Sequence, residues 1–222
     1  MIERVEEFHK EFVALIENVE GLRFATRAKE LQVEAIAQLQ SFKAKAKELK
    51  AEKVAEGIED LANRMLSYEQ TLQALIQELR MWVALKEDKS DEAWDALIDA
   101  QTAARIAVRA HNISRHLWVF IKRLHALEKL LFPPVAFMSV GVLIKHSTCS
   151  ICDSDYGDCD HLKGKVYMGE ICAQVVRDAK LLEVSIVPKP ADKHCRILQF
   201  TDNGVTRDVL TWRVIPTQAE KD

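Results

Sequence analysis

The first 132 residues contain no proline and no cysteine, and Gly21 and Gly57 are their only glycines. A chain so poor in breakers has few places to turn, and a small number of long helices is the favoured outcome. Pro133-Pro134 ends that regime, because proline lacks the N–H and restricts the residue before it. All five prolines, all five cysteines and the other five glycines follow Phe132. Gly and Pro punctuate loops and turns, so a helical half is predicted to join a loop-rich, strand-containing half. The expected fold class is α+β. A helical bundle or coiled coil covers residues 1–132, and a small antiparallel β domain with a zinc-binding loop covers residues 135–222.

Apolar spacing supports the helical reading. Val5, Phe8, Phe12, Leu15, Val19 and Leu22 alternate steps of three and four, a seam that faces another helix. Asn18 and Gly21 are candidate stops, since both tolerate the left-handed conformation. Leu31, Ala35, Leu39, Phe42, Ala46 and Leu49 form a second seam, with lysines on the exposed side. After a phase slip between Lys50 and Glu56, the seam resumes at Val54, Ile58, Leu61, Met65, Tyr68, Leu72, Leu75, Leu79 and Trp82. The slip is either a stutter in one long helix or a break near Gly57. Lys86 to Ser90 reads as a loop with Ser90 as N-cap. The next helix buries Trp94, Leu97, Ala104 and Val108, and Asn112 to Ser114 marks a turn or kink. Leu117, Phe120, Ile121, Leu124, Leu127 and Leu131 line a last amphipathic helix. His111, His116 and His125 do not align on one helical face, so capping or partly exposed roles fit them better than metal ligation.

Beyond the prolines, Val135 to Lys145 has the β-branched content and the length of a buried strand. Ile171 to Arg177 and Leu181 to Val187 are further strand candidates. Cys195 to Phe200 and Val205 to Val214 flank Asn203-Gly204, the strongest short hairpin signal, because both residues tolerate positive φ. Pro188 and Pro190 belong at an edge or in a loop.

Between these strands, Cys149-x2-Cys152 and Cys159-x-His161 offer three thiolates and one imidazole, a complete tetrahedral set for Zn2+. A polar loop of this length cannot bury enough surface to order itself, and metal binding contributes folding free energy directly. With four protein ligands no position is left for a catalytic water, so the zinc is expected to be structural. His146, Cys172 and Cys195 are spare donors that could substitute. Asp153, Asp155, Asp158 and Asp160 alternate as in a calcium loop, but the closing bidentate glutamate is missing.

The net charge of −3 leaves no nucleic-acid footprint, and the acidic metal loop would repel phosphate. No apolar run reaches the length of a membrane span, the N-terminus is unlike a secretion signal, and clustered thiols favour a reducing compartment. A cytoplasmic location is expected, or a virion-associated one. The partner is expected to be another protein, or a second copy held through the helical half.

Two segments flanking the metal loop carry a family resemblance. Phe137-Met-Ser139-Val-Gly141 resembles the strand bearing the nucleophilic serine in prohead maturation proteases of tailed phages. Leu182-Glu183-Val-Ser-Ile-Val-Pro188-Lys-Pro190-Ala191 is similar to that family's L-x-E-V-S-L-V-x-x-P-A-N signature, and relatives carry a cysteine-rich insertion between the two. The resemblance covers roughly residues 136–195. It implies Ser139 as nucleophile and Glu183 as the acid orienting a histidine, with that histidine some tens of residues upstream in a β-rich segment. Here the upstream segment reads as helical, and no histidine lies between Glu11 and Ala110. The expectation is therefore a non-enzymatic, phage-related interaction or scaffolding protein, in phage assembly or anti-phage defence. The alternative is a prohead-type serine protease using Ser139.

Overall fold

A computed structural model describes residues 2–216, so the last six residues of the predicted β domain lie outside the described residues. Five α-helices come first: α1 (Ile2–Glu20), α2 (Lys29–Ala55), α3 (Glu59–Lys86), α4 (Ser90–Ala110) and, after a 3-10 turn at Asn112–Ser114, α5 (Leu117–Leu131). Six strands follow: β1 (Phe137–Cys149), β2 (Val166–Tyr167), β3 (Glu170–Ile171), β4 (Gln174–Val187), β5 (Gln199–Asp202) and β6 (Val205–Asp208). They form three separate antiparallel pairs, β1 with β4, β2 with β3 and β5 with β6. The α+β order is the expected one.

Gly57 resolves the phase slip as a break. Its φ of 73° lets the chain reverse, with Gly57 N donating to Val54 O and Ile58 N to Lys53 O. Those two bonds make a Schellman stop, which satisfies carbonyls left over at the end of α2. The same device ends α3, where Asp88 (φ 58°) takes the left-handed position and Lys89 N donates to Ala84 O. It also corrects the expected cap. The Lys89 carbonyl already accepts from Ala93 N, so Ser90 is the first residue inside α4 and no side chain caps that end.

The seam residues Val5, Phe8, Phe12, Ala35, Leu39, Phe42, Met65, Tyr68, Leu72, Leu79, Leu97, Ala104 and Leu124 are all buried. Helix α3 goes further than one stripe. Ser67, Ala74, Ile76, Glu78 and Met81 are buried on its other faces, because α2 packs on one side and α4 on the opposite side. Leu31 is exposed where a seam position was expected, and Gln32 takes the inward place. Its amide donates to Leu22 O (2.8 Å) and Phe24 O (3.0 Å) and accepts from Lys86, which ties the α1–α2 turn to the end of α3. Glu78, enclosed at the core edge, is held by Arg23 (2.6 Å) and Arg123. A buried acid needs such partners to stay charged.

The strand half leans on the bundle. Trp94 of α4 packs edge-on against Phe132 and at a tilt against Phe137, and its Nε1 donates to Lys193 O at 3.1 Å. Arg196, almost fully buried, pairs with Asp91, and Lys193 pairs with Glu128 at 2.6 Å. Phe137 and Leu210 join the same core as the helices.

The strands differ from expectation in extent. The candidates at residues 171–177 and 181–187 join into one 14-residue strand, β4, except that Ile171 belongs to a hairpin within the metal loop, β2–β3, that periodicity could not show. Asn203 (φ 48°) and Gly204 (φ 80°) make the predicted turn between β5 and β6, with strands of four residues each. The stretch expected as a buried strand is exposed over most of its length, because in the described residues nothing lies over its apolar face.

Candidate metal centre

β1 delivers the first candidate ligand. Cys149 is its last residue, fully buried, and the chain then folds into a tight knuckle in which Asp153 N donates to Cys149 O and Cys149 N to Ser154 O. Asp153 adopts φ 56°, the left-handed step that lets Cys152 turn back beside Cys149. Within the knuckle, Ile151 N points at Cys149 Sγ (3.4 Å), and His161 N points at Cys159 Sγ (3.4 Å). Amide donors aimed at sulfur favour the thiolate form that metals require.

The ligand atoms of Cys149, Cys152, Cys159 and His161 all lie within 4.8 Å of one another. A tetrahedral ion with bonds of about 2.3 Å to sulfur needs donors separated by about 3.8 Å. Cys159 Sγ and His161 Nδ1 are 3.8 Å apart, which meets that requirement. The four residues could hold a metal ion.

Titration of the thiols carries the same message. Burial opposes ionisation of Cys149, but the N–H groups of Ile151 and Cys152, helped by Cys159 and Cys172, bring it down to about 7. Cys152 is lowered as well, by the backbone and hydroxyl of Ser154. Cys159 moves the other way, up to about 11, through burial and then the neighbouring Cys149 and Cys152. One thiolate discourages the next. A cation at the centre removes that repulsion and lets all three ionise together.

Second-rank contacts place the loop. Tyr167 of β2 stands edge-on to the His161 ring, 4.6 Å between centroids, and its hydroxyl accepts from Leu162 N. The β2–β3 turn, with Met168 and Gly169 at positive φ, docks on the start of α3, where Gly169 N donates to Asn63 Oδ1 at 2.7 Å. Val166 packs with Leu66 and Ala110. The metal loop is therefore anchored at one end by β1 and at the other by the bundle.

The spare donors separate clearly. Cys172, buried at the end of β3, has its sulfur 3.8 Å from Cys149 Sγ and so borders the cluster. His146 pairs with Asp155 at 3.7 Å, and Cys195 lies at the far end of β1, where its carbonyl accepts from Met138 N.

Ser139 and Glu183 are also brought together. Ser139 stands opposite Ser185, and Glu183 opposite Gly141, so serine and acid share one face of the ribbon two rungs apart. Glu183 lies across Gly141, where a Cβ would meet its Cγ at 2.8 Å. The histidines are engaged elsewhere: His9 with Tyr68, His111 with Asp60, His116 with Ile113 O, His125 with Arg105, His146 with Asp155, His161 in the cluster and His194 with Asp192.

No helix of the described residues is long and apolar enough to cross a membrane. Comparison with protein-family models, curated proteins and solved structures finds no match to this chain.

Proposed function

We propose that the protein is a zinc-stabilised interaction protein of phage origin or phage-directed defence, in which the metal holds the fold and performs no chemistry. The observation that carries this reading is the closed donor set of Cys149, Cys152, Cys159 and His161. Three thiolates and an imidazole are a donor set that zinc favours and calcium or magnesium do not. The phage relationship rests on the resemblance of the segments around Ser139 and Glu183. The helical half, with its coiled-coil-like seams, is the proposed seat of a protein partner. A groove of about 730 Å3 between α1, α3 and α5, lined by Phe12, Val13, Ile16, Leu117, Val119 and Phe120, supports that assignment.

The test is metal content together with folding. The purified chain should carry one equivalent of zinc, and Cys149→Ser or Cys159→Ser should lose both the metal and the order of β1–β3. A chain that folds fully without metal would overturn the reading. The second reading, a serine protease, is favoured by the shared face of Ser139 and Glu183. It requires a fluorophosphonate probe to label the wild type but not Ser139→Ala. A serine hydroxyl without a nearby base is a poor nucleophile at neutral pH, so no labelling is expected.

A further inference from the structure

The β1–β4 ribbon is amphipathic, and its apolar face is open. Along β1, Met138, Val140, Val142 and Ile144 point to one side. Opposite them in the ladder stand Ile186 against Met138, Val184 against Val140, and Leu181 against Val142. These seven residues are between 40% and 71% exposed. The opposite face carries Ser139, Gly141, Ser185, Glu183 and Lys180, with Leu143 paired to Lys180 and with Phe137 and Val187 packed on the bundle core, so its exposed part is the more polar of the two. A register shift after Gly141 keeps Val142 and Leu181 facing each other.

We propose that a second copy of this chain covers this face, the two ribbons stacking face to face about a two-fold axis. Three observations converge on that occupant. A two-stranded ribbon is at best marginally stable in water, whereas two stacked ribbons bury a common apolar layer. The area is sufficient: covering seven half-exposed side chains removes on the order of 500 Å2 per copy, and a pair then buries about 1,000 Å2, the lower bound of a specific interface. Self-matching also suits a stripe without charge: a two-fold axis through its middle lays the Met138–Ile186 end of one copy on the Val142–Leu181 end of the other. The groove proposed for a partner lies on the helices, so either assignment can fail without the other.

The experiment uses the full chain loaded with zinc. Sedimentation velocity from about 1 to 100 µM should show a monomer–dimer equilibrium for the wild type and for Val119→Asp, a substitution in the helical groove. Val184→Asp and Ile186→Asp should raise the dimer Kd roughly tenfold or more, since each buries an unpaired charge, with circular dichroism and zinc content unchanged. A wild type that stays monomeric, or a dimer that survives both ribbon substitutions, overturns the proposal. Hydrogen exchange on the wild type needs no variant. Protection that rises with concentration should be confined to β1 and β4, and its absence there would equally overturn the proposal.

Discussion

At the scale of single residues, the cysteines divide by geometry rather than by spacing. Cys172 borders the cluster at Cys149, while the donor atoms of Cys149, Cys152, Cys159 and His161 lie within 4.8 Å of one another. Cys172→Ser is therefore expected to retain one equivalent of zinc by elemental analysis, and Cys152→Ser to lose it. Because metal binding requires deprotonated thiols, the metal content should fall as pH is lowered, as read by elemental analysis after dialysis. His194 supplies a second pH-dependent contact. Burial pulls its pKa down, but the Asp192 hydrogen bond and the charges of Asp192, Asp99 and Asp95 raise it above the ordinary histidine value. A raised folded-state pKa contributes stability below the unfolded value of about 6.5, and that contribution disappears as pH rises through the folded value. His194→Ala should thus lower the melting temperature at about pH 5.5 and hardly change it at about pH 9.

At the scale of elements, the helix stops carry much of the architecture. Gly57 has open space around its Cα, so a substitution there meets no neighbour and tests backbone conformation alone. Gly57→Ala places a Cβ in the left-handed region and is expected to cost about 1 kcal/mol in a denaturant titration. The expected N-cap at Ser90 shows the converse. Its residue type was right for a cap, but the position was decided by how α3 ends, through Asp88 and Lys89. The merging of two strand candidates into β4 has a similar cause, since pairing with β1 carries the strand through Asp178 to Lys180, which alone show no strand pattern.

At the scale of the whole molecule, Trp94 joins the two halves. It contacts Phe132 and Phe137, donates to the Lys193 carbonyl and lies beneath the Arg196 guanidinium. Trp94→Ala should cost about 4 kcal/mol. It should also separate a single thermal transition into one for the bundle and one for the strand half, as read by calorimetry.

What was legible in the sequence was local. Helix seams, the phase slip before Gly57, the Asn203-Gly204 turn and the candidate ligand set Cys149, Cys152, Cys159 and His161 depend on residues a few positions apart, whose geometry is set by backbone preferences and ligand spacing; whether the slip was a stutter or a break was left to the structure. The tertiary structure alone decided the rest. It buried α3 on opposite sides between α2 and α4, turned Gln32 inward in place of Leu31, set Cys172 against Cys149 and left the apolar face of β1–β4 open. Each of these depends on which distant segment comes to lie alongside. Periodicity can say that a face is apolar, but only the packing of other elements determines whether anything covers it.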